Sequence, residues 1–146
     1  MPSGFFIRKG VYMKISELEV DPKLIEEGKW VSHIPELTGV RLKVRGANNK
    51  DWRKFAQRLV NAVPRKKRVN GNLDPDEADR VSALILLHTG LLDWEGIEAD
   101  DGTAIPYDKQ KAAQYLAGER FRVGVQFACD QVAQGIEQEV EDIAGN

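Results

Sequence analysis

The sequence predicts a mainly α, α+β fold: a small N-terminal β-hairpin followed by a helical domain of about four helices. Three observations predict it. Residues 40–45 alternate apolar and basic side chains with a period of two, as a strand with one buried face does. Beyond Asn49, four stretches place apolar residues at spacings of three and four, the stripe of an amphipathic helix. Asp21, Asn49, Asp74 and Asp108 each stand just before a helix-compatible run. Their side chains can accept from the unpaired N–H groups of a first helical turn.

The elements follow in order. Asp21-Pro22 reads as an N-cap with proline at the first helical position, and Gly28 as the stop of that short helix. Residues 29–34 and 40–45 form the expected hairpin. Val40, Leu42 and Val44 lie on one face of the second strand, and Arg41, Lys43 and Arg45 on the other. After Asn49, the positions Trp52, Phe55, Ala56, Leu59, Val60 and Val63 make a helical stripe that Pro64 ends. Residues 65–68 are a basic run, and residues 69–73 read as a loop. Asp74-Pro75-Asp76-Glu77 is a strong helix start. Val81, Leu84, Leu87, Leu91 and Trp94 keep one phase through Gly90, so the spacing predicts a single helix over 75–94, at about 1 kcal/mol for the glycine. Residues 97–105 read as a loop or a small second hairpin. Asp108 opens a short helix that Gly118 stops. The spacing from Phe121 to Ile143 predicts a long last helix, acidic toward its end and frayed there. The expected core draws on Trp52, Phe55, Leu59, Val81, Leu84, Leu87, Phe121, Val125 and Val132. Residues 1–12 read as an extension dispensable for stability, and 13–146 as one domain.

Composition narrows the function classes. The 146 residues carry 21 Lys and Arg against 23 Asp and Glu, a net charge of −2. An acidic balance argues against a dedicated nucleic-acid binder, and a solvated role is expected for the basic stretches. The lone cysteine, Cys129, permits no intramolecular disulfide and no Cys-based zinc site. The densest apolar run, residues 83–87, is far short of a membrane span of about 20 residues.

A search for reaction chemistry finds none. No two glycines are closer than six positions, which excludes both the dinucleotide fingerprint and the P-loop. Neither His33 nor His88 has a second ligand at metal spacing nearby. His88 is expected to be partly buried beside the apolar stripe, and His33 solvated. Around Asp100-Asp101-Gly102 the glycine arrives one position too early for a calcium loop, so a solvated turn is expected. No catalytic residue, cofactor or metal is expected, and the chain reads as a non-enzyme.

Two stretches carry a resemblance. One runs from Gly28-Lys29-Trp30-Val31 through Gly39-Val40-Arg41-Leu42-Lys43-Val44-Arg45-Gly46. The other runs from Leu91-Leu92-Asp93-Trp94-Glu95-Gly96-Ile97 through Asp101-Gly102-Thr103-Ala104-Ile105-Pro106-Tyr107. With the Trp52 helix, the basic segment and Leu73-Asp74-Pro75 between them, they resemble the tail assembly chaperones of long-tailed, siphovirus-type bacteriophages and prophages. The resemblance spans roughly residues 21–125. It implies a small, largely helical protein of the host cytoplasm, absent from the finished virion. Its client would be the tape-measure protein, with the major tail tube protein as a second partner and self-association as a further property. The alternatives are a head–tail connector or other small morphogenesis factor, and a DNA-binding regulator using residues 65–68 and the helix that begins at Pro75.

The expected working surface joins the basic strand face, Arg41, Lys43 and Arg45, to the apolar groups Trp94, Ile97, Ile105 and Tyr107. Packing of those apolar groups under their own loop is favoured over direct exposure to a partner.

Overall fold

The computed structural model describes Tyr12 and residues 14–136. The expected extension, except for Tyr12, and residues 137–146 lie outside the described residues. The expected helix from Phe121 to Ile143 is corrected, because it ends at Gln134 where Gly135 takes φ 69°. Among the described residues, five α-helices surround one antiparallel three-stranded sheet, so the α+β class holds.

The anticipated caps are made. Helix α1 (Pro22–Glu27) starts where Asp21 accepts from the Lys23 N–H at 2.9 Å. Gly28 ends it at φ 98°, with its N–H donating to the Leu24 carbonyl. Strands β1 (Lys29–Val31) and β2 (Arg41–Val44) pair antiparallel, with Trp30 opposite Lys43 and Val31 opposite Leu42. Helix α2 (Lys50–Ala62) begins at Asn49, whose side chain accepts from the Trp52 N–H.

After α2, residues 65–67 make one 3-10 turn. The stretch read as a loop is a tight hairpin of β3 (Arg68–Val69) and β4 (Asn72–Leu73). Asn70 and Gly71 turn it, both at positive φ, the backbone that a two-residue turn between twisted strands requires. Arg68 is structural. Its guanidinium donates to the carbonyls of Val60 and Val63 at the end of α2.

The expected helix over 75–94 is corrected. Helix α3 (Pro75–Ile85) passes into a π turn at Leu86–Gly90, and the chain then extends as β5 (Leu91–Glu95). β5 pairs antiparallel with β2, Leu42 facing Trp94, and makes β2 the central strand. Two contacts explain the break. The Gly90 carbonyl accepts from the Arg45 N–H at 2.9 Å, which draws the chain onto the sheet. A Cβ at Gly90 would sit 3.1 Å from the Cys129 sulfur and 3.4 Å from the Trp52 ring, so the glycine lets the chain pass close against buried Cys129. Where Leu91 and Leu92 enter the sheet, a bulge shifts the register, leaving Leu91 inside and Leu92 exposed.

The remaining chain closes the core. Residues 97–105 form a small hairpin around the Glu98–Ala104 bridge. Helix α4 (Lys109–Leu116) is capped by Asp108, and α5 (Glu119–Gln134) crosses the inner face of the sheet. Leu42, Val44, Leu86, Leu116, Val125, Ala128 and Cys129 have no solvent exposure. Of the expected core, Trp52, Val81, Val125 and Val132 are buried, and Phe55, Leu59, Leu87 and Phe121 pack against them half-buried. Leu84 is the exception: it faces a cleft with Asp79, Arg80 and Arg122 rather than the core. No helix among the described residues is long and apolar enough to cross a membrane.

Candidate interaction surface

The apolar half of the expected surface is built on Trp94. As an inward position of β5, Trp94 is only 3% exposed. Its indole N–H donates to the Ile105 carbonyl at 2.7 Å, which ties the hairpin of residues 97–105 to the sheet. Tyr107, Tyr115 and Phe121 surround the indole, with ring centres 5.0, 5.5 and 6.0 Å away. The aromatic group therefore packs under its own loop. Burial, together with the carboxylates of Asp93 and Asp108, raises the Tyr107 phenol above its ordinary pKa.

Ile97 and Ile105 are half-buried. With Leu37, Val40, Tyr115 and Phe121 they line an open groove of about 620 Å³, in which Arg120 and Glu98 supply the charge. Glycine shapes its floor. Gly96 turns at φ 86°, and a Cβ there would overlap the Gly39 carbonyl. Of the residues the sequence pointed to, Ile97 and Ile105 line the groove and Trp94 and Tyr107 do not; Leu37, Val40, Tyr115 and Phe121 were not anticipated there. Leu37 lies in a connection with no periodicity, so no local signal marked it, whereas Val40 was read as an apolar strand position and stands just before β2 at the rim of the groove.

The basic strand face is less basic than the sequence implied. Arg41 pairs with Glu95 at 2.8 Å, donates to the Ser32 hydroxyl and lies 5.0 Å over the Trp30 ring. Lys43 stands in register between Trp30 and Asp93. Arg45 is committed within the fold. It bridges Glu26 at 3.1 Å and Asp51 at 2.9 Å, donates to the Glu26 carbonyl, and its side chain is 15% exposed. Arg41 and Lys43 thus remain at the surface, next to acids of the neighbouring strand, and Arg45 fastens α1 to α2.

Elsewhere the polar side chains serve structure. The Thr103 side chain and N–H both donate to Asp101, and these hydrogen bonds hold its carboxyl below the usual range. His88 is exposed rather than partly buried, edge-on to Phe55 at 5.2 Å. Partial desolvation and nearby Lys109 lower its pKa. Burial pushes the Cys129 thiol up, away from the reactive thiolate. No group of three or more His, Cys, Asp or Glu among the described residues is arranged to hold a metal.

The family model for the YdaY prophage protein matches residues 47–146. The chain belongs to the YdaY prophage protein family. The matched span begins just after β2. It contains Trp94, Ile97, Ile105 and Tyr107, and it excludes Arg41, Lys43 and Arg45, so the YdaY match covers the groove's hairpin and α5 but not its Leu37 and Val40 wall. Comparison with curated proteins finds no match, nor does comparison with solved structures.

Proposed function

We propose that this prophage protein is a non-catalytic tail assembly chaperone that binds the tape-measure protein during tail morphogenesis in the host cytoplasm. The observation that carries the reading is the groove of Leu37, Val40, Ile97, Ile105, Tyr115 and Phe121. An amphipathic client helix can lay its apolar stripe into such a groove, and occupancy would remove that stripe from aggregation by mass action. The ordered resemblance over residues 21–125 and the prophage family support it. The tail tube protein is the second candidate partner.

The test is co-expression with tape-measure fragments from the same prophage. The wild-type chain should keep a fragment soluble and co-purify with it. Ile97→Glu, which places a charge in the groove, should abolish capture while the chain stays folded by circular dichroism. The double reversal Arg41→Glu/Lys43→Glu asks whether the sheet face contributes. Capture undiminished by Ile97→Glu removes the groove from the reading. A head–tail connector would instead remain in purified particles, where the proposed chaperone should be missing.

A further inference from the structure

Eight of the basic residues fall within positions 50–68, against one acid, Asp51, in a chain whose total charge is −2. Four of them, Lys50, Arg53, Lys54 and Arg58, are exposed on α2. Lys50, Arg53 and Lys54 lie on the side away from Trp52, and Arg58 stands at the edge with its guanidinium 5.3 Å over the Phe55 ring. At 1.5 Å per residue these span about 12 Å of helix, and exposed Arg65 and Lys66 follow in the next turn. None of these six forms an ion pair with a described residue. Arg41, Arg45, Arg80, Arg120 and Arg122, by contrast, all pair with acids. The nearby acids are already engaged: Asp51 and Glu26 on Arg45, Glu77 on Lys67 and Arg80. The placement also opposes the helix itself. Lys50, Arg53 and Lys54 stand at the positive end of α2's dipole, where acids stabilise, whereas α3 opens with Asp76 and Glu77.

We propose that this ridge, Lys50, Arg53, Lys54, Arg58, Arg65 and Lys66, binds the phosphate backbone of nucleic acid without reading sequence. The positions between its cations on the outward face are Gln57 and Asn61, and the aromatic ring at its edge, half-buried Phe55, is covered by Arg58, so the middle of the face offers no apolar or aromatic centre for a folded protein partner. Phosphate contacts need only cations, and guanidinium groups suit them. α3 is not a reading helix, because its first turns present Asp76 and Asp79. This inference is independent of the chaperone reading.

The test is fluorescence anisotropy of the full chain with labelled duplex DNA and duplex RNA, each in two unrelated sequences, between 50 and 200 mM salt. Six phosphate contacts give a slope of about −5 in log K against log [salt]. Arg53→Glu/Lys54→Glu should weaken binding about tenfold or more and reduce that slope by about 2. Arg65→Glu/Lys66→Glu, outside the helix, should act similarly and guards against a folding effect in α2. Affinity should change less than about twofold between sequences. No binding at 50 mM salt, binding unchanged in both variants, or a strong sequence preference would overturn the assignment. So would displacement by polyglutamate as effective as by unlabelled DNA, which would give the ridge to an acidic protein.

Discussion

Asn49 makes three hydrogen bonds from a site that is 1% exposed. Its amide donates to the carbonyls of Gly46 and Thr89, both at 2.9 Å, and its oxygen accepts from the Trp52 N–H. One side chain thus caps α2 and fastens the end of β2's connection to the π turn. Asn49→Ala strands all three partners. At about 1–3 kcal/mol for each buried unpaired group, urea unfolding should show a loss of about 3 kcal/mol or more. Glu77 is another buried polar residue with partners of its own. Its side chain, 5% exposed, receives Arg80 and Lys67, and the Arg80 hydrogen bond leads in lowering its pKa. A carboxyl depressed by folding stabilises above its unfolded pKa, and that contribution is lost as pH falls through the folded value. Stability measured from pH 6 downward should therefore fall more steeply below about 4.5 in the wild type than in Glu77→Gln. Parallel curves for the two proteins would show that Glu77 is not linked to folding.

At the scale of elements, Gly90 separates two readings by the sign of one substitution. In a continuous helix, Gly90→Ala would stabilise by about 1 kcal/mol. Against fully buried Cys129 and the Trp52 ring, the added methyl should instead destabilise by about 1–3 kcal/mol, as a lowered thermal midpoint would report. A paired measurement checks the inward face of the π turn. Leu86→Ala, at a site with no exposure, should cost about 2–5 kcal/mol, and Leu84→Ala much less. The helix starts were legible because a cap is local: Asp21, Asn49, Asp74 and Asp108 each bond an N–H two or three residues on. β5 was not legible, because Leu87, Leu91 and Trp94 keep helical spacing while the pairing with β2 comes from some fifty residues away. The β3–β4 hairpin was legible in principle, since Asn70-Gly71 is a strong turn signal. Of the interaction surface, Trp94's loop could be read, but the groove needs Leu37, the hairpin of residues 97–105, α4 and α5 brought together by tertiary folding.

At the scale of the whole molecule, the family match and the fold do not begin at the same residue. A fragment of residues 47–146 would keep β5 but lose β2, uncovering Leu91 and Trp94, each 3% exposed in the full chain. It would also lose the ion pairs in which Arg45 joins Glu26 of α1 to Asp51 of α2. Such a fragment should melt without a cooperative transition by calorimetry and bind a hydrophobic dye. A sharp transition near that of the full chain would show that the first two strands are accessory.

The central position of β2 also bears on the protein's synthesis. Leu42 and Val44 leave the ribosome well before the strand that covers them. At about 5–20 residues per second, the fifty residues between β2 and the end of β5 take roughly 3–10 s. Throughout that interval the nascent hairpin has an unpaired edge on the β5 side of β2 and an apolar face awaiting α5, whose own residues come later still. Neighbouring nascent chains on one message can pair through that edge, so the yield of folded protein should fall where translation slows between codons 45 and 95.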